Sequence, residues 1–300
     1  MDLQLCHRLI RTCCPQLKIN HIQANDEGWV YFVAEINGEY IFRFPRHPDA
    51  QKWLEIEIEI LPMLRGNVSL AVPQFDYICR NNPDFPWTFV GYPKIAGVPM
   101  TKSLLTPSTW ESSAKQLGEF LSQLHNYPLK SVKQVQVPYF TALQWRNLYK
   151  TFYQEIKAEA FSVLDLELQT QLTTRFETFL QDERNFHFKS TLIHRDLCED
   201  HILWDQQSER ITGIIDWNDV SVGDPAYDFS GLLTHYGEAF IQHIMDHYQG
   251  PTDNSTINRI RFYSQTSWCY CILHALRVKD HQLLQESVQS LEKMLLHMQK

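Results

Sequence analysis

The spacing of hydrophobic and polar positions changes character partway along the chain. Through residues 1 to about 90 it predicts strands around a single helix. WVYFVAEI (29–36) and EYIFRF (39–44) flank Asn37-Gly38, a pair that supplies the positive φ angles of a tight hairpin turn, and Pro45 stops the second strand. LEIEIEIL (54–61) alternates with period two, as a strand would, yet it follows Pro48-Asp49-Ala50, a reasonable helix entry, so the residues leave both readings open. VPQFDYI is another candidate strand, and TFVGYPKIAGVPM reads as a strand running out into a hinge.

From Ser108 onward helical spacing dominates. Ser108-Thr109-Trp110-Glu111 has capping-box spacing, with Leu117, Phe120, Leu121 and Leu124 following at helical intervals. Further helices are predicted around residues 141–159, 165–181, 254–276 and 280–297. Between them lies a short β-rich insert, HILWD and ERITGIIDW, two strands joined by the polar turn QQS. No internal repeat or low-complexity tract interrupts this order.

Composition narrows the functional classes. With 300 residues, 44% of them hydrophobic, the chain suffices for one large domain or two lobes with real cores. A net charge of -8 argues against a general nucleic-acid binder, which must neutralise phosphates with a basic face. No stretch approaches the ~20 apolar residues that span a bilayer, and the opening MDLQLCHRLIRTCC lacks the apolar core of a signal peptide. A cytoplasmic monomer is expected, with neither nucleic acid nor membrane as partner. Seven cysteines, odd in number and without a CxxC pair, suggest neither a disulfide framework nor a zinc ribbon; buried, inert thiols are expected.

The chemistry-bearing residues concentrate on the β-rich insert. In TLIHRDLCEDHILWD (191–205) Asp196 follows an apolar run and His201 opens the next strand, while Asp216 ends the second strand, twenty residues beyond Asp196. Hairpin geometry would bring His201 and Asp216 to the same end. One carboxylate to orient a hydroxyl and take its proton, with two ligands for the metal ion that bridges nucleotide phosphates, is the minimum set for phosphoryl transfer. Downstream, GDPAYDF places Asp224 and Asp228 at a helix start, where a carboxylate caps free amides and can hold a neighbouring loop. Each element alone is weak: a lone histidine is more often structural than a ligand, and a soft-metal site from His194, Cys198 and His201 lacks a clear fourth ligand.

Taken together, LIHRDLCEDHIL and GIIDWNDVSVGDPAYDF closely resemble the antibiotic phosphotransferases of the aminoglycoside and macrolide kinase superfamily. YIFRFPRHPDA, FVGYPKI, IDW, YGEAF and CYCILHAL look most like macrolide 2'-phosphotransferases, with some aminoglycoside enzymes also similar. The resemblance implies an α+β, two-lobed protein-kinase-like fold, with a small β-rich N-terminal lobe over 1–91, a hinge at 92–96 and a larger, mainly helical lobe over 97–300. It implies Asp196 as the catalytic aspartate, His201 and Asp216 as magnesium ligands, and His194 as a residue shaping the loop. His201 would act directly or through a bound water, since magnesium prefers oxygen. LEIEIEIL becomes a helix in which Glu57 pairs with a phosphate-binding cation, here Arg43 where lysine is usual; an arginine on a solvated strand face is the bland alternative.

Tyr92, Pro93, Lys94 and Ile95 would present backbone groups to the purine of GTP or ATP, with Pro93 offering only its carbonyl. NDEGW (25–29) is a poor phosphate cradle, because with Gly28 as its one glycine close backbone approach is restricted and Asp26 and Glu27 repel phosphate. For the acceptor, residues 231–300 hold six acids, six Lys or Arg and seven aromatics, a balance that fits the apolar ring of a macrolide better than a polycationic aminoglycoside. The implied function is transfer of a γ-phosphate to the 2'-hydroxyl of a macrolide amino sugar. An aminoglycoside acceptor is the alternative, and a nucleotide-binding pseudokinase without turnover is the rival from another class.

Overall fold

A computed structural model describes residues 1–25 and 28–297 of the chain. Asp26 and Glu27 of the NDEGW stretch lie outside the described residues. The chain divides into two compact units. The first comprises Met1–Met100, Pro128–Val137 and Asp200–Val220, and the second comprises Thr101–Tyr127, Pro138–Glu199 and Ser221–Lys300.

The first unit begins with helix α1 (Leu3–Cys13), then strands β1 (Ile22–Asn25), β2 (Tyr31–Ile36) and β3 (Tyr40–Pro45), helix α2 (Pro48–Leu64), and strands β4 (Tyr77–Cys79) and β5 (Phe89–Pro93). The five strands form one antiparallel sheet in the order β1-β2-β3-β5-β4. Asn37 and Gly38 both have positive φ (57° and 74°), so the β2–β3 turn is built on the two residues best suited to it. Alternation then divides the sheet into two faces. Phe32, Ala34, Ile36, Phe42 and Phe44 pack with Cys6, Leu9 and Ile10 of α1 and with Cys14 at its C-cap. Tyr31 and Val90 pack with Ala50 and Leu54 of α2. Arg43, between Phe42 and Phe44, is thereby turned away from the α1 side.

The segment with two open readings is a helix. His47 caps α2 by accepting from the Ala50 amide, Pro48 stands in its first turn, and its buried positions are Ala50, Leu54, Glu57, Ile60, Leu61 and Leu64. Those positions follow helical spacing, so the buried stripe outcompetes the local alternation and carries Glu57 at its centre. Helix α1 was not among the elements expected from sequence; Asp2 caps it, and Cys6, Leu9 and Ile10 form its buried face.

The first unit also contains β6 (Val98–Pro99), which follows the segment expected as a hinge, the one-turn helix α4 (Leu129–Val132), and the insert strands β8 (Ile202–Asp205) and β9 (Arg210–Ile214). These pair as β6-β8-β9, and Ala71 of the 65–76 connection bridges to Gly213 of β9.

The second unit contains α3 (Pro107–His125), α5 (Ala142–Glu155), α6 (Leu166–Gln181), the antiparallel pair β7 (Thr191–Ile193) and β10 (Ser221–Gly223), and then α7 (Ser230–Tyr236), α8 (Glu238–His247), α9 (Thr256–Thr266), α10 (Trp268–Val278) and α11 (His281–His297). The capping box of α3 is formed by Thr106 and Thr109, with Pro107 at the first helical position, two residues ahead of the Ser108–Glu111 box expected from sequence. Pro107 fixes the start, because proline is tolerated there and Thr106 supplies the cap. The core is aromatic: Trp145, Tyr149, Phe176, Phe179, Phe262 and Tyr263 are buried, and the Phe179 and Phe262 rings stack at 3.6 Å between centroids. The arrangement is mixed α+β, a β-sheet N-terminal region with a helical C-terminal region. No helix among the described residues is long and apolar enough to cross a membrane.

One cysteine expectation is corrected. Cys13 at the end of α1 and Cys79 on β4 are joined in a disulfide with their Cα atoms 5.9 Å apart, leaving five free thiols. Sequence spacing could not show it, because the 66-residue separation closes only when α1 docks on the sheet beside β4.

Candidate active site

In the first unit an ion pair lies beneath the sheet. Arg43 Nη1 and Nη2 donate to the two Glu57 carboxylate oxygens at 2.7 and 2.9 Å, a bidentate arrangement between side chains that are 5% and 0% exposed. Tyr31 completes the enclosure: its hydroxyl donates to Glu57 at 3.3 Å and its ring lies 4.0 Å beneath the Arg43 guanidinium. Burial pushes the Glu57 carboxyl upward, and the adjacent guanidinium opposes that shift. The pair holds its ionised form through two charge-assisted hydrogen bonds, and the Glu57 carboxylate in turn favours the charged Arg43.

Asp216 links this pair to the insert. It lies 3.5 Å from Arg43 Nη2, and His201 Nε2 lies 3.4 Å from its other carboxylate oxygen. The β8–β9 pairing carries His201 and Asp216 to one end, where the Ile215 amide donates to the His201 carbonyl. Asp216 has φ of 64°, a left-handed conformation that aspartate tolerates better than most residues. Trp217, fully buried, secures the turn by donating its indole N–H to the Ile214 carbonyl. A carboxylate and an imidazole so close can share a divalent ion, and the carboxylate supplies the oxygen donor that magnesium prefers.

The strand end expected to meet a purine is also within this unit. Tyr92 is buried against Phe75, and the Lys94 amide already donates to the Glu39 carbonyl while its ammonium pairs with Glu35. Ile95, beyond the end of β5, packs so close to Gly213 that a Cβ at Gly213 would fall 2.9 Å from its side chain and 2.8 Å from the Ala71 carbonyl. The β3–β5 pairing takes in Tyr92 and Pro93, while Ile95 lies beyond it.

In the second unit the loop after β7 is held by one buried carboxylate. Asp228 accepts from the His194 amide at 2.8 Å and the Arg195 amide at 2.7 Å, and His125 Nε2 lies 3.1 Å away. Arg195 has φ of 70°, so the Asp228 bonds offset backbone strain at the residue preceding Asp196. The Asp196 amide donates to His194 Nδ1, which assigns the remaining ring proton of a neutral His194 to Nε2. The Asp196 carboxylate is partly exposed.

Asp224 is an anchor. It caps the 3₁₀ turn Pro225–Phe229 through the Ala226 amide and accepts from Arg259 Nε and Tyr263 Oη, both at 2.7 Å. Trp145 donates to the same Tyr263 hydroxyl. Burial raises the Asp224 carboxyl, opposed by Arg259. His125, Arg259, Tyr263 and Tyr31 were not singled out from sequence; His125 is 103 residues from Asp228, and nothing local signals the contact.

Gly231, in the first turn of α7, abuts this loop: a Cβ there would fall 2.3 Å from the Leu197 carbonyl oxygen. Gly231→Ala must displace the loop backbone next to Asp196. Turnover is expected to drop by about 10-fold or more with nucleotide affinity retained, as misplacing a reacting group does. Steady-state kinetics with a nucleotide-binding titration checks this, and unchanged kcat would show the loop position to be unimportant.

The fold is that of the kinase-like phosphotransferases. Residues 21–263 match the model of the phosphotransferase enzyme family, and the chain belongs to that family. Its structural neighbours place it within the antibiotic phosphotransferase superfamily. The uncharacterized protein YcbJ of Bacillus subtilis (strain 168) is 26% identical over 75% of this chain and 74% of its own length. Viomycin phosphotransferase of Streptomyces vinaceus is 25% identical over 65% and 66% respectively. Among solved structures, the GDP and kanamycin complex of APH(2")-IIia is 28% identical, with a TM-score of 0.90 over 99% of both chains. Macrolide 2'-phosphotransferase type I, 21% identical with a TM-score of 0.78 over 97% of this chain and 98% of its own, shares the fold.

Proposed function

We propose that the protein transfers the γ-phosphate of GTP, or of ATP, to a hydroxyl of an aminoglycoside-type antibiotic. The observation that carries this reading is the full-length likeness to the kanamycin complex of APH(2")-IIia, with a TM-score of 0.90. GDP in that complex supports GTP as donor. The macrolide acceptor expected from sequence rested on the resemblance to macrolide 2'-phosphotransferases and on charge balance and aromatic content in residues 231–300. Tyr236, Phe240, Phe262 and Tyr263, four of the seven aromatics there, are buried in the core, which weakens that argument.

In this reading Asp196 orients the acceptor hydroxyl and takes its proton as the oxygen attacks. Arg43, fixed by Glu57, directs its remaining N–H donors toward phosphate oxygens. The Pro93 carbonyl and Ile95 amide meet the base. Asp216 and His201 would hold magnesium, His201 directly or through water, and the ion when bound would supply charge neutralisation for the phosphates.

The decisive experiment incubates the protein with magnesium and GTP or ATP, separately with kanamycin-like and erythromycin-like acceptors, and looks for a mass gain of one phosphate. Phosphorylation of the macrolide alone would replace the acceptor assignment. Nucleotide binding without modification of either acceptor would support a nucleotide-binding protein lacking turnover.

The role of His201 has its own check. His201→Asn keeps an oxygen ligand, so magnesium-dependent transfer is expected to persist, whereas His201→Ala should raise the magnesium requirement by ~10-fold. A folded alanine variant with an unchanged magnesium titration would make His201 a structural residue.

A further inference from the structure

Outside the residues assigned to phosphoryl transfer, the first unit brings three sulfur atoms together. Cys13 ends α1, Cys14 is its C-cap, and Cys79 lies on β4; their sulfurs all lie within 4.8 Å of one another. Cys14 and Cys79 are buried among Leu9, Ile10, Phe85 and Phe89, while Cys13 is half-exposed and gives access from solvent. We propose that, once the Cys13–Cys79 disulfide is reduced, Cys13, Cys14 and Cys79 form a three-sulfur site for a trivalent, thiophilic metalloid of the arsenic(III) class.

Two properties of the site select that class. Cys14 and Cys79 are 0% and 3% exposed among apolar side chains, so the pocket disfavours an accumulated negative charge. Three thiolates around a divalent ion would leave a net charge of -1 among apolar side chains, at the C-terminal end of α1 where the last carbonyls are themselves negative. Three thiols reacting with arsenous acid form three As–S bonds and release three waters, giving a neutral adduct with no redox change at sulfur or arsenic. Reduction comes first: a phosphine takes up the oxygen of one water, becomes the phosphine oxide, and leaves the two cysteines as thiols. The vicinal pair at the helix end and the third cysteine on the strand supply the three donors, and docking of α1 on the sheet brings them together.

The adduct also replaces the disulfide as the tie between α1 and β4, so arsenic(III) and oxidation compete for the same two sulfurs. Cys271, partly exposed on α10 of the second unit, provides an internal control.

The full-length protein is reduced with a phosphine and titrated with arsenite in the absence of small thiols. The near-ultraviolet sulfur-to-arsenic charge-transfer band and the intact mass are followed. One arsenic per chain is expected, with the partly exposed Cys13 protected from alkylation only when arsenite is present and the partly exposed Cys271 labelled with or without it. Each of Cys13→Ser, Cys14→Ser and Cys79→Ser should weaken binding by at least ~10-fold, as loss of one ligand does. Cys271→Ser should leave it unchanged. The alkylation map tests the wild-type chain directly, so it decides the matter even if a serine variant misfolds. Absence of arsenite binding to the reduced protein overturns the proposal, as does arsenite protecting Cys271 while Cys13 stays labelled. Stoichiometric zinc binding at the same three cysteines, without arsenite binding, overturns the neutral-adduct argument.

Discussion

Asp196→Asn is expected to lower turnover by ~10²-fold or more while fold and nucleotide affinity remain, because a positioned general base contributes on that order. The substitution is nearly isosteric. The loop around it is held by Asp228 through the His194 and Arg195 amides, and Asp196 itself contributes its backbone N–H to His194, none of which the change removes. What is lost is a carboxylate able to receive the acceptor proton. Single-turnover phosphorylation compared with a binding titration separates the two effects, and a rate within a few fold of wild type would remove Asp196 from the role of base.

Arg43→Ala is expected to destabilise the protein by ~3–5 kcal/mol, since it strands a buried carboxylate. Glu57 is fully buried, and both of its oxygens accept from Arg43. Arg43→Lys restores the charge but offers no planar fork, so it should recover only part of the stability and of the nucleotide affinity. The double variant Arg43→Met/Glu57→Leu removes both charges together and should regain most of the stability while nucleotide binding stays lost. Urea unfolding alongside nucleotide titration distinguishes these outcomes. Full nucleotide affinity in the double variant would show that the pair is purely structural.

Much of the fold was legible because its signals are local. The Asn37-Gly38 turn, the alternation of β2 and β3, and the helical spacing of α5, α6 and α11 require only neighbouring residues, and each element is present close to its expected position. Where local signals conflicted, burial decided. LEIEIEIL alternates in hydropathy, but Leu54, Glu57, Ile60 and Leu61 are the positions that reach the core, and that set exists only as a helix. The capping box of α3 moved because Thr106 before Pro107 makes a better start than Ser108.

By itself the sequence determined the β-rich insert and the order of its strands, and it singled out Asp196, His201 and Asp216 as the candidates proposed for the chemistry, because their spacing along one hairpin and its preceding loop is a local property. Tertiary structure alone decided which residues support them. Asp228 with His125, Asp224 with Arg259 and Tyr263, Glu57 with Tyr31, and Cys13 with Cys79 are joined across 26 to 103 residues of chain. The physical reason is that a buried carboxylate or thiol can be satisfied by any element that packs over it, and which element does so is set by the whole core rather than by the residues alongside it in sequence.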